Sequence, residues 1–307
     1  MRLRVKSPAK VNIFLRVLDK REDGYHNIQS IMQMVDLYDI LTFEKSSAGI
    51  ALASNSKDIP LDSDNIVFRA AELLKEKGMV REGVSIYIEK NIPVSAGLGG
   101  GSSNAAATLM TLNRLWGLGY GMHELSSIGG RLGSDVPFFL GGVASFVEGR
   151  GEIVYPLRTG RNRWLVLVNP GIKVSTSWSY NRIDEVRGTS ETKTNWLTKT
   201  GKDNKLQKFN GFKLDLIEVS SLMQNDLEEI TARQNRVIEE IREELKSLDA
   251  KGVVMSGSGA TVFGIFSNKE EARTAANKLI SKRPWKVWAV KTLSKSPFMP
   301  ALRQVDY

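Results

Sequence analysis

The residues with the clearest chemistry form one unbroken stretch, Pro93-Val94-Ser95-Ala96-Gly97-Leu98-Gly99-Gly100-Gly101-Ser102-Ser103-Asn104, which runs straight into a helical pattern. Ala105, Leu109, Leu112 and Trp116 recur at intervals of three and four residues, the spacing of one buried helix face, so the glycines stand at a helix N-terminus. The first turn of a helix carries unpaired N–H groups and the positive end of the macrodipole. Glycines let that backbone take positive φ and approach a bulky anion, and Ser102 and Ser103 add hydroxyls for hydrogen bonds or a metal ion. This is chemistry for holding phosphate. A Walker A loop would end in Gly-Lys-Ser/Thr, which does not follow these glycines, and a dinucleotide fingerprint would need glycine where Ser102 stands.

Two further positions become chemical only in company. Val11, Ile13, Leu15 and Val17 alternate against Lys10, Asn12, Phe14 and Arg16, which predicts a strand with Lys10 and Asn12 on one face. Burying an unpaired ammonium is costly, so Lys10 needs an acidic partner or an anionic ligand unless the strand is an edge and the side chain reaches water. Asp135 lies between Gly133-Ser134 and Val136-Pro137, ahead of an apolar run at the mouth of an expected strand, where aspartate is also an ordinary turn residue. If Lys10 and Asp135 face each other beside the glycine loop, they supply what phosphoryl transfer needs. The cation keeps the carboxylate ionised and steadies charge on the attacking oxygen, while the carboxylate positions or deprotonates the hydroxyl.

The elements that must bring these groups together are legible in outline. Strand patterns run from Leu3 to Val17 and from Ile28 to Phe43, joined through the turn Asp23-Gly24-Tyr25-His26. Asp64-Asn65 caps a helix reaching Lys77, and Gly83 to Lys90 alternates as a strand into the glycine loop. After the loop helix, a second helix is expected from Met122 to Leu132, then a turn over Gly133 to Gly142 and a strand from Val143 to Val147. Arg163 to Val168 opens a second domain, and the polar tract from Arg187 to Lys213 reads as a long surface insertion, either a lid or a solvated loop. Leu227, Ile230, Gln234, Val237, Ile241, Leu245 and Leu248 mark one long amphipathic helix. Strands Gly252 to Ser256 and Ala260 to Phe266 flank the turn Gly257-Ser258-Gly259, and a helix Lys269 to Ile280 and a strand Trp285 to Thr292 complete an α+β layer. The expected domains are residues 1–158 and 159–307.

Composition narrows the function class. A chain of 307 residues with 41% hydrophobic and 25% charged side chains is an ordinary globular protein of two-domain size. It has no cysteine, which excludes disulfides and thiolate metal sites and fits a reducing compartment. Met1-Arg2-Leu3-Arg4-Val5-Lys6 lacks the apolar core of a signal peptide and no later run approaches a membrane span, so a cytoplasmic protein without a membrane partner is expected. The net charge of +9 is scattered and not interleaved with aromatic residues, which argues against nucleic acid and suits a phosphorylated small molecule together with ATP.

Five motifs fall in order along the chain: Pro8 to Asn12, Asp23 to His26, Pro93 to Asn104, Gly133 to Phe138 and Ser256 to Gly259. Together they resemble the GHMP kinases, whose loop reads Pro-x-x-x-Gly-Leu-Gly-Ser-Ser, and within them the branch that acts on 4-diphosphocytidyl-2-C-methyl-D-erythritol. The resemblance implies an α+β, two-domain GHMP kinase fold. Its N-terminal domain is an α/β unit of the ribosomal S5 domain 2-like type, its C-terminal domain is α+β with an antiparallel sheet, and the active site lies between them. The implied reaction is ATP-dependent phosphorylation of the 2-hydroxyl of that cytidyl alcohol, a step toward isoprenoid precursors by the non-mevalonate route. By the same resemblance Lys10 and Asp135 form the catalytic pair, Pro93 to Asn104 holds the ATP phosphates, and Asn65 with Val67 forms the adenine pocket. Tyr25 would stack on the cytosine and His26 would meet its edge, with Tyr180, or Trp178 in its stead, as the second slice of the sandwich. Asn12, Thr176 and Gly257-Ser258-Gly259 complete the substrate side. Ser102 is the side chain expected toward Mg²⁺. Glu124 precedes Asp135 by an interval at which several members carry a metal-assisting glutamate, but it reads here as a surface carboxylate at a helix N-terminus. The expected partners are the small-molecule substrate and ATP, and the expected assembly is a monomer or weak homodimer.

Overall fold

The computed structural model describes residues 2–187, 213–217 and 220–298. The polar tract expected between Arg187 and Lys213 lies, apart from its two end residues, outside the described residues.

The strands β1 (Arg2–Lys20) and β2 (His26–Ser46) form a long antiparallel hairpin. Along β1, burial alternates as far as Lys6 and is then unbroken from Ser7 to Leu15. The change marks where the strand passes from a sheet covered on one face to one covered on both. The polar face carrying Lys10 and Asn12 is therefore buried, at 3% and 2% exposure, and the alternative of an edge lysine reaching water is excluded. Register shifts after Pro8 and after Asn12 bracket the two residues.

The strand β3 (Ile50–Ser54) lies parallel to β4 (Gly83–Glu89), which pairs with the second half of β2, while β5 (Ala144–Glu148) pairs with its first half and β6 (Ile153–Pro156) follows β5. Helices α1 (Ile66–Lys77), α2 (Gly100–Leu115), α3 (Met122–Leu132) and α4 (Val136–Gly141) share one core with this sheet, built on Leu3, Val5, Leu41, Phe43, Ala105, Leu109, Leu112 and Phe138. The inner helix α2 is buried on most sides, and its run Ala105-Ala106-Ala107 gives the close approach that this position demands.

The two-residue strand β7 (Arg158–Thr159) leads to β8 (Trp164–Asn169) and helix α5 (Thr176–Arg187), and β9 (Lys213–Leu214) returns to pair with β7. Next, β10 (Gln224–Asn225) joins β1 in parallel and completes a seven-stranded first sheet. A second, antiparallel sheet has the order β11 (Val253–Met255), β12 (Val262–Phe266), β8, β13 (Lys286–Lys291). Its strands alternate: Leu165, Leu167, Phe263 and Ile265 meet Val11 and Ile13 of β1, while Val166, Val168 and Val262 are covered by α6 (Glu228–Gln234), α7 (Val237–Ser247) and α8 (Lys269–Lys282). The hairpin of β1 and β2 is thus shared between both cores.

Four expectations are corrected. The single amphipathic helix from Leu227 to Leu248 is two helices, because Asn235 leaves helical geometry and its side-chain amide donates to Thr231 O (3.2 Å), competing with the backbone ladder. The turn expected over Gly133 to Gly142 contains α4, whose early proline is compatible with a first helical turn. Asp135 accordingly sits at a helix N-cap rather than at the mouth of a strand. The loop helix begins at Gly100, so Gly100 and Gly101 lie inside its first turn, with Gly99 as the N-cap. Finally, α5 was not foreseen, since polar residues dominate Thr176–Arg187.

Candidate active site

Two glycines close the loop against its surroundings. Gly97 has φ +75°, and a Cβ there would stand 2.0 Å from Ser256 O; Gly99 has φ +67°, and its Cβ would meet Lys10 Cγ at 2.9 Å. The loop therefore lies in backbone contact with the Ser256-Gly257 turn on one side and against Lys10 on the other. Helix geometry leaves the N–H groups of Gly100, Gly101 and Ser102 without an intrahelical acceptor, whereas Ser103 N already donates to Gly99 O (2.9 Å).

Lys10 and Asp135 converge beside this turn. Lys10 Nζ lies 3.4 Å from Asp135 Oδ2, and it donates to Asn12 Oδ1 (2.5 Å) and Gly97 O (3.0 Å). The Lys10 side chain is 4% exposed, that of Asp135 28%. Asp135 makes no side-chain cap bond to its own helix, so its carboxylate stays turned to the cation. Asn12 is fixed in turn, donating through Nδ2 to Ser30 Oγ (2.8 Å), and Ser256 Oγ donates to Gly97 O (2.9 Å). Asn12 and the Gly97 carbonyl are thus each held by a second hydrogen bond, while Asp135 is held by the ammonium.

A separate cluster surrounds His26. Its Nε2 lies 2.6 Å from Asp184 Oδ1, and its ring stacks on Tyr180 with centroids 5.3 Å apart. Burial, with the charge of Asp135 in support, pushes the Tyr180 hydroxyl above the usual tyrosine range. Tyr25 is exposed, with the Arg150 guanidinium 5.1 Å from its ring centre. Thr176 Oγ1 and Ser258 Oγ are 3.0 Å apart, tying the start of α5 to the Gly257-Ser258-Gly259 turn.

Lys10, Asn12, Asp135, Tyr25, His26, Tyr180, Thr176 and Ser258 line one cavity of about 1260 Å³. Cavities for single small ligands are commonly about 300–1,000 Å³, so this one has room for two. Neighbours connect through it in series. Ile66, beside Asn65 and Val67 at the start of α1, approaches Gly101; Gly99 abuts Lys10; Lys10 meets Asp135; and Tyr180, near Asp135, stacks on His26 next to Tyr25.

The lining includes Lys10, Asn12, Tyr25, His26, Asn65, Val67, Asp135, Thr176, Tyr180, Gly257 and Ser258, and the loop at Pro93, Val94, Ser95, Ala96, Gly97, Gly99, Gly100, Gly101, Ser102 and Asn104. Leu98 and Ser103 are buried away from it: Leu98 packs in the core shared by the two sheets, and the Ser103 hydroxyl accepts from Ser7 Oγ (2.7 Å). Gly259 is likewise off the wall, against the Met255 sulfur. Asn65 caps α1 by accepting from Val67 N (2.9 Å) and donates to Pro60 O (2.6 Å), so its amide already works for the fold. Trp178 lines a different groove, beside α6, and Tyr180 rather than Trp178 faces His26. Glu124 is outside the cavity and accepts from Gly121 N (3.1 Å).

Sequence reasoning missed Asp184, Arg150, Asn225 and the pair Lys90–Asp39. Asn225 holds the Ser256-Gly257 turn by donating to Met255 O and Gly257 O, both at 2.7 Å. Lys90 Nζ lies 2.7 Å from Asp39 Oδ2 beneath the glycine loop. Burial lowers the Lys90 ammonium below the usual lysine range, against the pull of Asp39. The one available signal was Asp39 itself, a carboxylate within the apolar strand Val35 to Phe43.

Family models described as "GHMP kinases N terminal domain" and "GHMP kinases C terminal" match residues 65–142 and 211–284. The chain is 44% identical to the 4-diphosphocytidyl-2-C-methyl-D-erythritol kinase of Alkaliphilus oremlandii, over 90% of this chain and 91% of that one. It is 42% identical to the enzyme of the same name from Geobacter metallireducens, over 95% and 99% of the two chains. Among solved structures it superposes on a 4-(cytidine 5'-diphospho)-2C-methyl-D-erythritol kinase with a TM-score of 0.74 at 31% identity, covering 94% of this chain and 99% of the other. The fold extends to a homoserine kinase from Cytophaga hutchinsonii, with a TM-score of 0.72 at 19% identity over 96% and 95%.

Proposed function

The chain belongs to the 4-diphosphocytidyl-2-C-methyl-D-erythritol kinases, a branch of the GHMP kinases, and from that membership we propose how its residues divide the reaction. The protein is a phosphotransferase that uses ATP to phosphorylate this cytidyl alcohol on the route to isoprenoid precursors, and the acceptor is the 2-hydroxyl. Asp135 takes the hydroxyl proton as the oxygen attacks the γ-phosphorus; the bond from that phosphorus to the β–γ bridging oxygen breaks, and ADP leaves. Lys10 keeps Asp135 ionised and aimed, and places positive charge beside the attacking oxygen. The α2 N-terminus and the loop amides receive the phosphates, with Asn65 and Val67 beside the adenine. Tyr25 and Tyr180 flank the cytosine and His26 meets its edge; Asn12, Thr176 and the Gly257-Ser258 turn hold the remainder of the substrate.

The donor set fits a nucleotide-bound magnesium ion. Among the described residues no three His, Cys, Asp or Glu side chains are grouped to hold a metal by themselves, so most ligands must come from phosphate oxygens and water. Ser102, on the cavity wall in the first turn of α2, is the side chain that would reach the ion. When bound, Mg²⁺ offsets phosphate charge. Among the described residues no helix is long and apolar enough to cross a membrane. We read the enzyme as cytoplasmic, a monomer or weak homodimer, divided into domains 1–158 and 159–307, with no nucleic-acid partner.

The observation that carries this reading is the 3.4 Å approach of Lys10 to Asp135 beside a loop whose Gly97 carbonyl binds the same ammonium. Measuring ADP release with ATP and, in turn, the cytidyl alcohol, mevalonate and homoserine tests it. Turnover is expected only with the cytidyl alcohol. Turnover of either other alcohol without the cytidyl one would overturn the substrate, and tight RNA binding without any turnover would overturn the kinase reading.

A further inference from the structure

Asn225 aims both donors of its amide at a turn from elsewhere in the chain. It is buried, at 7% exposure, on the two-residue strand β10, which pairs in parallel with β1 at Phe14 and Leu15. Asp226 N donates to Leu15 O (3.0 Å) and Asp226 Oδ2 accepts from Val17 N (3.1 Å), so the backbone around Asn225 is fixed to the strand that carries Lys10. Asn225 Oδ1 accepts from Leu227 N (2.9 Å), an Asx turn that leads into α6. That local bond needs no amide. The other end of the side chain does, because Nδ2 donates to Met255 O and to Gly257 O, both at 2.7 Å. Two carbonyls and one N–H around a single side chain demand two donors and an acceptor, which neither serine nor an ionised aspartate supplies.

The gripped turn reaches the Lys10 ammonium by two routes. Ser256 Oγ accepts from Asn12 N (3.2 Å) and donates to Gly97 O (2.9 Å), the carbonyl to which Lys10 Nζ also donates (3.0 Å). Gly257, at φ +57°, packs its backbone against the same pair: a Cβ there would stand 3.2 Å from Gly97 O and 3.4 Å from Lys10 Nζ. Glu228 Oε2 accepts from Met255 N (2.6 Å), so Met255 is held on both its amide and its carbonyl side. The contacts close a circuit from β1 through Asn225 and the turn to the glycine loop, and back to Lys10 on β1. Asn225 itself does not line the cavity, so any part it has in the reaction is exerted through the turn.

We propose that Asn225 is a positioning residue for Lys10: by pinning Met255 and Gly257 it fixes the turn that sets the Gly97 carbonyl and, with it, the ammonium against Asp135. The inference rests on the reading that Lys10 serves the reaction. Asn225→Asp keeps the shape of the side chain and the Oδ1 acceptor for Leu227 N, but turns the two donors into an acceptor facing two carbonyls. It should lower kcat on the order of tenfold to a hundredfold with the KM for ATP near wild type, the effect of misplacing a reacting group by about 1 Å. Ser256→Ala removes only the link from the turn to Gly97 O and should lower kcat by about threefold to tenfold. Because the two residues act in series, the double variant should be no more than about twofold slower than Asn225→Asp alone. Asn113→Asp breaks an amide grip of the same chemistry away from the cavity, where Nδ2 donates to Tyr120 O (2.9 Å) and Oδ1 accepts from Tyr120 N (3.0 Å). It should lower the urea midpoint and leave kcat at the wild-type value. Rates are compared at a temperature where circular dichroism shows each variant folded, and if Asn225→Asp does not fold, Asn225→Ser, which keeps one donor, takes its place with a smaller loss. An unchanged kcat in the folded Asn225 variant, losses that multiply in the double variant, or an equal loss of kcat in Asn113→Asp would each overturn the proposal. If instead Lys10→Met keeps the wild-type kcat, the reading of Lys10 fails and the proposal falls with it.

Discussion

Two buried lysines flank the glycine loop, and they are put to opposite uses. Lys90 meets Asp39, which is fully buried and also accepts from Asn91 N (2.7 Å), Ile92 N (2.8 Å) and Asn104 Nδ2 (3.0 Å). Lys10 meets Asp135 at 3.4 Å, and Asp135 keeps 28% of its side chain open to the cavity. A carboxylate surrounded by four donors has neither lone pairs nor room for a substrate hydroxyl. One held at its edge by a single ammonium has both. The same pairing of charges becomes scaffold or chemistry according to how many donors the carboxylate already serves.

The largest expected effect tests the open pair. Asp135→Asn, which keeps an oxygen for the buried Lys10 ammonium, should lower kcat by roughly 10²–10⁴-fold, the ordinary loss on removing a general base, while the KM for ATP and the melting temperature stay near wild type. A variant that turns over at the wild-type rate would remove Asp135 from the chemistry and erase the distinction between the two pairs.

The closed pair should respond the other way. Asp39→Ala strands a buried ammonium and three further donors, and breaking a buried pair from one side costs about 3–5 kcal/mol. Urea denaturation should show that loss, while the fraction still folded keeps most of its kcat. An intact denaturation midpoint together with abolished turnover would mean that Asp39 belongs to the reaction.

How far the sequence discloses each pair follows from the range of the contacts. Lys10 was legible because the apolar alternation of Val11, Ile13, Leu15 and Val17 places it on a buried strand, where a charge demands an explanation. Lys90 directly follows the amphipathic strand β4 among polar residues, and only folding reveals that it turns inward to Asp39. The loop helix was found within two residues of its start, because period and glycine content act locally. Asp184 escaped notice because its partners, His26 and Lys20, are distant in sequence and α5 buries few apolar side chains that would have marked its face. Likewise the break between α6 and α7 depends on one asparagine choosing Thr231 O, a competition that hydrophobic period does not register.

A smaller effect should separate binding from chemistry within the cavity. Tyr25 is exposed and contacts the Arg150 guanidinium, so removing its ring costs the fold little. Stacking on a base contributes roughly 1–3 kcal/mol, and Tyr25→Ala should raise the KM for the cytidyl alcohol by about 5–150-fold with kcat and the KM for ATP little changed. A fall in kcat at unchanged KM would move Tyr25 from the base to the reacting centre.

The smallest effect belongs to a third kind of carboxylate. Glu124 has no cationic partner among the described residues and no place on the cavity; it accepts one backbone N–H, from Gly121 at 3.1 Å, in the first turn of α3. Charge at such a helix start contributes about 0.3–1 kcal/mol and is weakened by salt. Glu124→Gln should therefore lower stability by no more than that amount and leave the Mg²⁺ concentration for half-maximal rate unchanged. A rise in that concentration would bring Glu124 to the metal. Donor count and access would then no longer be enough to tell a working carboxylate from a structural one, because a group outside the cavity wall would be sharing in the reaction.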